Sequence, residues 1–250
     1  RSRDGAMNTM GAKIHVLFRK EDLDDYRLAG KVVVVLDILF ATSTIVNALA
    51  NGATAVIPTL DERAARALAA ELPEDSFVAS GELYAETIEG FVSPTPLALV
   101  AHGVSGRTVI YSTTNGTVAL QLSSGAPHVY AGAMLNAESV VDHVRREHPQ
   151  ETVLIVCSGS MGSVNLEDMV GSGYFVDLFA RALGGEAELS DAALAALQLY
   201  RSVDPFEALL RSRVGRMMQD RDLVHEVAYA ARRSEIDLVP RLVDGRLVAA

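Results

Sequence analysis

The sequence predicts an α/β fold, a layered and mostly parallel sheet with helices on both faces. Three observations carry that expectation. Residues 32–37 and 153–156 are apolar runs without alternation, the pattern of strands covered on both faces. Such runs alternate with helix-like segments in a β-α-β-α rhythm. Three of them also break into a small hydroxyl- or glycine-rich loop that opens a helix: VVVVLDILFATST, TVIYSTTNGT and TVLIVCSGSMGSVNLED. Loops after parallel strands open onto one sheet edge, where ligands bind. Helix N-termini there offer unpaired N–H groups and partial positive charge, which suits an anion.

Residues 13–18 form the first strand candidate and 21–28 a short acidic helix or turn, punctuated by Gly30. Strand 32–37 leads to a helix over 43–51 closed by Gly52, and 56–58 is a short strand. Residues 61–72 make an amphipathic helix with Asp61 as cap and Pro73 beyond its end. The stretch 77–99, with Gly81, Gly90, Pro94 and Pro96, reads as an extended loop starting just after the strand FVAS. Long irregular loops in compact domains are often functional. Strands over 109–112, 128–131 and 153–156 alternate with helices over 118–123, 137–147 (Asn136 as cap) and 166–183. Residues 190–234 are mostly helical, and 237–247 close the chain as a strand or hairpin around Asp244-Gly245.

The 250 residues suit one α/β unit over 11–250, with an optional division into two lobes near 135–150. Residues 1–6, RSRDGA, read as an expression-tag remnant ahead of Met7 or Met10. Net charge is −10 and the arginines are scattered, so nucleic acid is not an expected partner. No apolar stretch approaches the roughly 20 residues of a membrane helix, and no signal peptide is evident, so a cytoplasmic protein is expected. The single cysteine, Cys157, ends an apolar run and reads as a buried structural thiol. Apolar helices such as DAALAALQLY suit a homodimer face as readily as an internal one.

Asp37 is the most informative residue. It directly follows five apolar strand residues, where a charge is costly unless it emerges into a polar crevice. It fits a metal-binding or catalytic role; the alternative is a cap bonding loop amides. Thr42, Ser43 and Thr44 offer hydroxyls at a helix start. Thr113, Thr114, Asn115, Gly116 and Thr117 either cradle an oxyanion or form an Asx turn and ordinary cap. Gly159 and Gly162 match neither a dinucleotide fingerprint nor a P-loop, so no nucleotide cofactor is indicated. Glu167 and Asp168 fall in a first helical turn, and Glu82 at a probable strand end. Oxygen ligands without His or Cys clusters indicate a hard cation, Mg²⁺ before zinc.

The words VLDILFATSTIVNALANGA, STTNGTVAL, GAMLNAESV and VCSGSMGSVNLEDMVGSGYFVDLF, in this order, resemble the 2-phosphosulfolactate phosphatase (ComB) family. The likeness runs from about Val32 to the closing DLVHEVAYAARRSEIDLVPRLVDGRLV. It implies a ComB-like α/β fold and a Mg²⁺-dependent phosphatase that hydrolyses 2-phosphosulfolactate to sulfolactate without an organic cofactor. Carried over by position, Asp37, Glu82 and Asp168 are the catalytic candidates, and the same three with Glu167 are the metal candidates. Thr42, Ser43, Thr44, Thr113, Thr114, Asn115 and Gly116, with Phe40, Ser158 and Gly159, are the candidates for contact with a small anionic substrate.

Two departures bear on the substrate. The family reads Asp-Val-Leu-Arg-Ala-Thr-Ser-Thr in the first loop, whereas Phe40 stands at the arginine position here. An aromatic ring does not replace the bidentate charge of a guanidinium. Where the family has Gly-Phe-Asp-x-Gly-Asn-Ser-Pro, this chain has Gly90-Phe91-Val92-Ser93-Pro94-Thr95-Pro96, losing an acid and an amide. The first reading is therefore a Mg²⁺-dependent phosphatase acting on a small phosphorylated acid less anionic than phosphosulfolactate. Its competitors are a diverged enzyme working another reaction on a small acid and a non-catalytic anion-binding protein.

Overall fold

Alternation along a single strand sets the layers. In β2 (Lys31–Leu36), Val32, Val34 and Leu36 enter the apolar cluster on one face of the sheet, while Val33 and Val35 enter the cluster on the other. Each such side chain contributes about 1.5–3 kcal/mol by leaving water. A strand buried on both faces has no polar side to alternate with, which is why KVVVVL is continuous. The computed structural model describes residues 12–184 and 186–250. The expected tag remnant at residues 1–6 lies outside them.

In chain order, β1 (Lys13–Leu17), a 3₁₀ turn (Lys20–Asp22) and α1 (Asp25–Leu28) precede β2. Then come α2 (Ala41–Ala50), β3 (Ala55–Thr59), α3 (Glu62–Glu71), β4 (Phe77–Leu83), β5 (Glu86–Thr87), α4 (Pro96–His102), β6 (Thr108–Ser112) and α5 (Gly116–Leu122). They are followed by β7 (His128–Gly132), α6 (Ala137–Glu147), β8 (Thr152–Cys157), α7 (Leu166–Ala182), β9 (Glu188–Leu189) and α8 (Asp191–Ser202). The last part is α9 (Pro205–Arg211), α10 (Arg213–Asp220), α11 (Val224–Ala230), β10 (Pro240–Val243) and β11 (Arg246–Ala249). Helices α6 and α7 cover one face through Val140, Val144, Val170 and Phe175. Helices α2, α4 and α5 cover the other through Ile45, Leu99 and Leu120.

The sheet order is β5-β4-β6-β3-β11-β10-β7-β2-β8-β1-β9. Strands β7, β2, β8, β1 and β9 pair in parallel, as do β3, β6 and β4. The C-terminal hairpin stands between these halves, with Asp244 and Gly245 at positive φ in its turn, and it pairs antiparallel to both. Each joint has one register pair, Arg241 with Tyr130 and Leu247 with Val56. The expectation of strand ends along one edge is thereby corrected, because the strand-end loops come from two half-sheets joined through antiparallel strands. β7 and β8 both flank β2, so no break in the sheet falls near 135–150.

Asp61 caps α3 as expected, accepting the Ala64 amide at 2.8 Å. Residues 77–99 are not one loop. β4 runs on to Leu83, turns through Tyr84 and Ala85 in the left-handed region, pairs with β5, and leads to α4. Asn136 stands at the start of α6 but does not cap it. Its Oδ1 accepts the Ala133 amide and its Nδ2 donates to the Leu238 carbonyl, tying the helix entry to the segment just before β10. Cys157 is buried, and burial pushes its thiol well above the usual range, as befits a structural residue. Among the described residues no helix is long and apolar enough to cross a membrane.

Candidate active site

A cavity of about 220 Å³ lies where the loops after β2, β4, β6 and β8 meet α10. Asp37, Leu39 and Phe40 line it from the first loop, Glu82, Tyr84 and Ala85 from the second. Thr113, Thr114 and Asn115 come from the third, and Ser160, Met161 and Asn165 from the fourth. α10 supplies Arg213, Val214, Met217 and Met218.

Asp37 is buried at the carboxyl end of β2. The Ala41 amide donates to its Oδ1 at 3.3 Å, so the carboxylate lies at the start of α2. Its Oδ2 faces Gly116, where a Cβ would come within 2.5 Å of that oxygen and 2.3 Å of Ala41 Cβ. Gly116 thus permits close approach of α5 to Asp37. Burial pushes the Asp37 carboxyl up to about 6, against the Ser158 hydroxyl and the Ala41 amide; the Glu82 charge raises it further and Lys20 opposes the rise.

The other three acids divide sharply. Asp168, fully buried, accepts the Ile38 amide at 2.9 Å on Oδ1 and the Ser158 hydroxyl and Gly159 amide, each at 3.2 Å, on Oδ2. It ties the loops after β2 and β8 together. Burial, then the charges of Asp37 and Glu167, raise its pKa well above the carboxylate range. Glu82 accepts the Thr114 amide and the Ala85 amide, both at 2.6 Å, and the Thr114 hydroxyl at 3.0 Å. Glu167 is 1% exposed and its Oε1 has no hydrogen-bond partner among the described residues. Burial pushes Glu167 up to about 7, opposed by its own amide, the Ser212 hydroxyl and Arg213, while Asp37 adds to the rise.

The hydroxyls of the first loop turn away from the cavity. Thr42 Oγ1 accepts the Asp37 amide and donates to the Asp37 carbonyl, Ser43 Oγ donates to the Ile38 carbonyl, and Thr44 Oγ1 donates to the Pro94 carbonyl. All three are buried, so they shape the loop and do not line the space a substrate would fill. Thr113 and Thr117 bond each other's amides through their hydroxyls, Asn115 before α5 makes no side-chain cap bond, and Thr113, Thr114 and Asn115 face the cavity. Ser158, Gly159 and Gly116 stand behind the lining, holding Asp168 and Asp37. Phe40 lines the cavity, and the Leu39–Phe40 peptide is cis.

Sequence reasoning missed the cations and two amide or hydroxyl residues. Lys20, buried just past β1, donates from Nζ to Asn115 Oδ1 at 2.9 Å and the Ser158 carbonyl at 3.2 Å, and pairs with Glu21 at 3.0 Å. It joins the segment after β1 to the loops after β6 and β8. The Phe18-Arg19-Lys20 step at a strand end was the available signal. Arg213 donates to Ser160 Oγ, which in turn donates to Asn165 Oδ1 at 3.0 Å. Arg221 binds the Ala85 carbonyl and Glu86. α10 lies far along the chain from the motif loops, so spacing gave no pointer to it.

No three His, Cys, Asp or Glu side chains converge on a metal-sized site among the described residues. The donor chemistry nevertheless fits a hard cation held by few protein ligands. Burial raises the pKa of two carboxylates, Asp37 on the cavity wall and Glu167 behind the lining, and Glu167 Oε1 has no hydrogen-bond partner among the described residues. Mg²⁺ characteristically takes one or two carboxylates and fills its remaining positions with water and phosphate.

An α/β sheet that gathers titratable side chains from several strand-end loops around one cavity is the architecture of a small-molecule enzyme. The family model described as 2-phosphosulpholactate phosphatase matches residues 17–245. A probable 2-phosphosulfolactate phosphatase of Clostridium beijerinckii is 33% identical over 237 residues, covering 94% of this chain and 98% of the relative. One of Carboxydothermus hydrogenoformans is 36% identical over 239 residues, 94% and 96% of the two chains. A third, of Caldicellulosiruptor saccharolyticus, is 34% identical over 226 residues, 88% and 92% of the two chains. The chain belongs to the 2-phosphosulfolactate phosphatase family.

Proposed function

We propose that this chain is a Mg²⁺-dependent phosphatase that hydrolyses a small phosphorylated acid of the 2-phosphosulfolactate type to the alcohol and inorganic phosphate. The observation that carries the proposal is Asp37, a buried carboxylate lining the cavity with a pKa of about 6 and one oxygen turned to the α5 N-terminus. The family membership supports the same chemistry. Asp37 and Glu167 are the residues that would hold the cation. When bound, Mg²⁺ supplies charge neutralisation at the phosphoryl group.

Phosphate-ester hydrolysis passes through a loose transition state, so most of the protein's work is positioning and electrostatics. Asp37 accepts a hydrogen bond from the attacking water and orients it toward phosphorus. Thr113, Thr114 and Asn115 face the phosphoryl oxygens, and Glu82 fixes Thr114 by accepting its amide and hydroxyl. Asp168 keeps the Asp37 loop registered on the loop after β8. We also read the protein as a cytoplasmic homodimer, with the exposed Leu194 of α8 on the outer face; light scattering at micromolar concentration tests the dimer.

The test is phosphate release from a panel of small phosphorylated acids, including 2-phosphosulfolactate, with Mg²⁺ and with EDTA. Release that EDTA abolishes is expected, and Asp37→Asn is expected to cost at least about 10²-fold in kcat while leaving the unfolding midpoint near that of the wild type. Absence of release from every ester overturns the phosphatase reading. EDTA-resistant release removes the cation, and full activity in Asp37→Asn removes that residue from the chemistry.

A further inference from the structure

The cavity has two kinds of wall. Asp37, Glu82, Thr114 and Asn115 give it a polar side at the strand ends. Phe40, Val214 and Met218 belong to one apolar cluster, with Met217 and Leu223 packed against it, and all five line the same cavity. We propose that this apolar wall selects the third substituent of the substrate. The site takes the 2-phosphate ester of a 2-hydroxy acid bearing an alkyl or aryl group where phosphosulfolactate bears its sulfonate. This rests on the phosphatase reading above.

The first argument is desolvation. A sulfonate is ionised at all working pH values and loses water on entering the cavity, and none of the five wall side chains can donate a hydrogen bond to it. Phe40 brings a ring to the cavity wall beside Asp37, with no charge to hold a second acidic group. The second argument is the supply of guanidinium groups. Arg221 is committed to Glu86 and the Ala85 carbonyl. Arg213 forms no ion pair with a carboxylate among the described residues and reaches the cavity beside Ser160. One such fork matches one carboxylate, that of the 2-hydroxy acid. The third argument is adaptability: Met217 and Met218 are unbranched and polarisable, and accommodate substituents of differing shape.

The inference is tested by phosphate release with Mg²⁺ from the 2-phosphates of sulfolactate, lactate, 2-hydroxy-4-methylpentanoate and phenyllactate. Wild type, Phe40→Arg and Met217→Lys are compared. In the wild type, kcat/KM for the two larger apolar esters is expected to exceed that for phosphosulfolactate at least about tenfold, the scale of one or two hydrophobic contacts in a pocket. Both variants are expected to shrink or reverse that ratio. Met217 is half-buried, so its variant keeps the test open where Phe40→Arg fails to fold. A wild-type preference for phosphosulfolactate, or a ratio unchanged in the folded variants, overturns the inference. If no ester is hydrolysed, the phosphatase reading fails on its own, and calorimetric titration of the same esters in EDTA reads the wall separately. Tighter binding of the apolar esters then upholds the selectivity; tighter binding of phosphosulfolactate, or no binding at all, overturns it.

Discussion

Gly116→Ala is the sharpest single perturbation of the site, because the added atom has two neighbours and each governs a different property. A Cβ there would lie 2.3 Å from Ala41 Cβ and 2.5 Å from Asp37 Oδ2. Ala41 Cβ and, at 3.0 Å, Asp37 Cβ are fixed to the backbone, so α5 or the Asp37 loop must move. Overpacking of this kind costs about 1–3 kcal/mol, and at this chain length each kcal/mol lowers Tm by about 2–4 °C. A displacement of Asp37 by about 1 Å costs on the order of 10²-fold in rate. The assay pairs thermal unfolding with phosphate release, using Gly125→Ala as control, since a Cβ at Gly125 meets only Leu28 Cδ1 at 3.7 Å. Adding Ala41→Gly to Gly116→Ala removes the first contact and leaves the second. The double variant is expected to recover part of the lost stability, less the small cost of glycine in α2, and none of the activity. A Gly116→Ala protein with wild-type Tm and rate would refute this account of the glycine.

Two further outcomes are expected. Glu226, 1% exposed on α11, accepts the Thr95 hydroxyl at 2.6 Å and the Leu97 and Ala98 amides at 2.9 and 3.0 Å, capping α4 from across the chain. Glu226→Ala leaves those donors unpaired and is expected to cost about 2–4 kcal/mol in urea unfolding; a loss below about 0.5 kcal/mol would contradict the capping role. His143 and His148, which contact the Tyr130 hydroxyl, have pKa values lowered from 6.5, first by burial and then by Arg146 and His128 respectively. The unfolded state therefore takes up protons before the folded state does. Stability is full above pH 6.5 and falls as pH drops from there toward the lower folded values. His148→Gln is expected to flatten that slope between pH 7 and 5, and an unchanged slope would remove His148 from the effect.

The parts of the fold legible in the sequence are those where one local signal decides. KVVVVL and TVLIVC are continuous because both faces of their strands are buried, and Asp61 caps α3 because its side chain reaches an amide three residues on. The hairpin within 77–99 was illegible for the opposite reason. Its turn places Tyr84 and Ala85 at positive φ, and no glycine or asparagine there announces it. Asn136 looked like a cap because asparagine is a favoured cap residue, yet its side chain serves a contact with Leu238, 102 residues away. The strand-end loops that the sequence marks line the cavity, with Ser160 and Asn165 in the last of them, while Arg213 enters only through tertiary placement.

The acids show most clearly why residue type alone cannot assign roles. In the sequence, Asp37, Glu82, Glu167 and Asp168 are four carboxylates near strand ends or helix starts. In the fold, backbone amides and hydroxyls take both oxygens of Asp168 and of Glu82, so each braces two loops. Burial raises the pKa of Asp37 and Glu167, as it does that of Asp168, but Asp37 and Glu167 keep spare acceptor capacity among the described residues. It follows that lost activity in Asp168 or Glu82 variants does not by itself identify a metal ligand or an acid–base group. Removing a brace leaves buried donors unpaired and lowers stability and rate together. Removing a buried carboxylate that keeps an unpaired oxygen removes a desolvation cost, so rate falls while stability holds or rises. The ratio of the two losses, measured on the same variants, sorts the four acids.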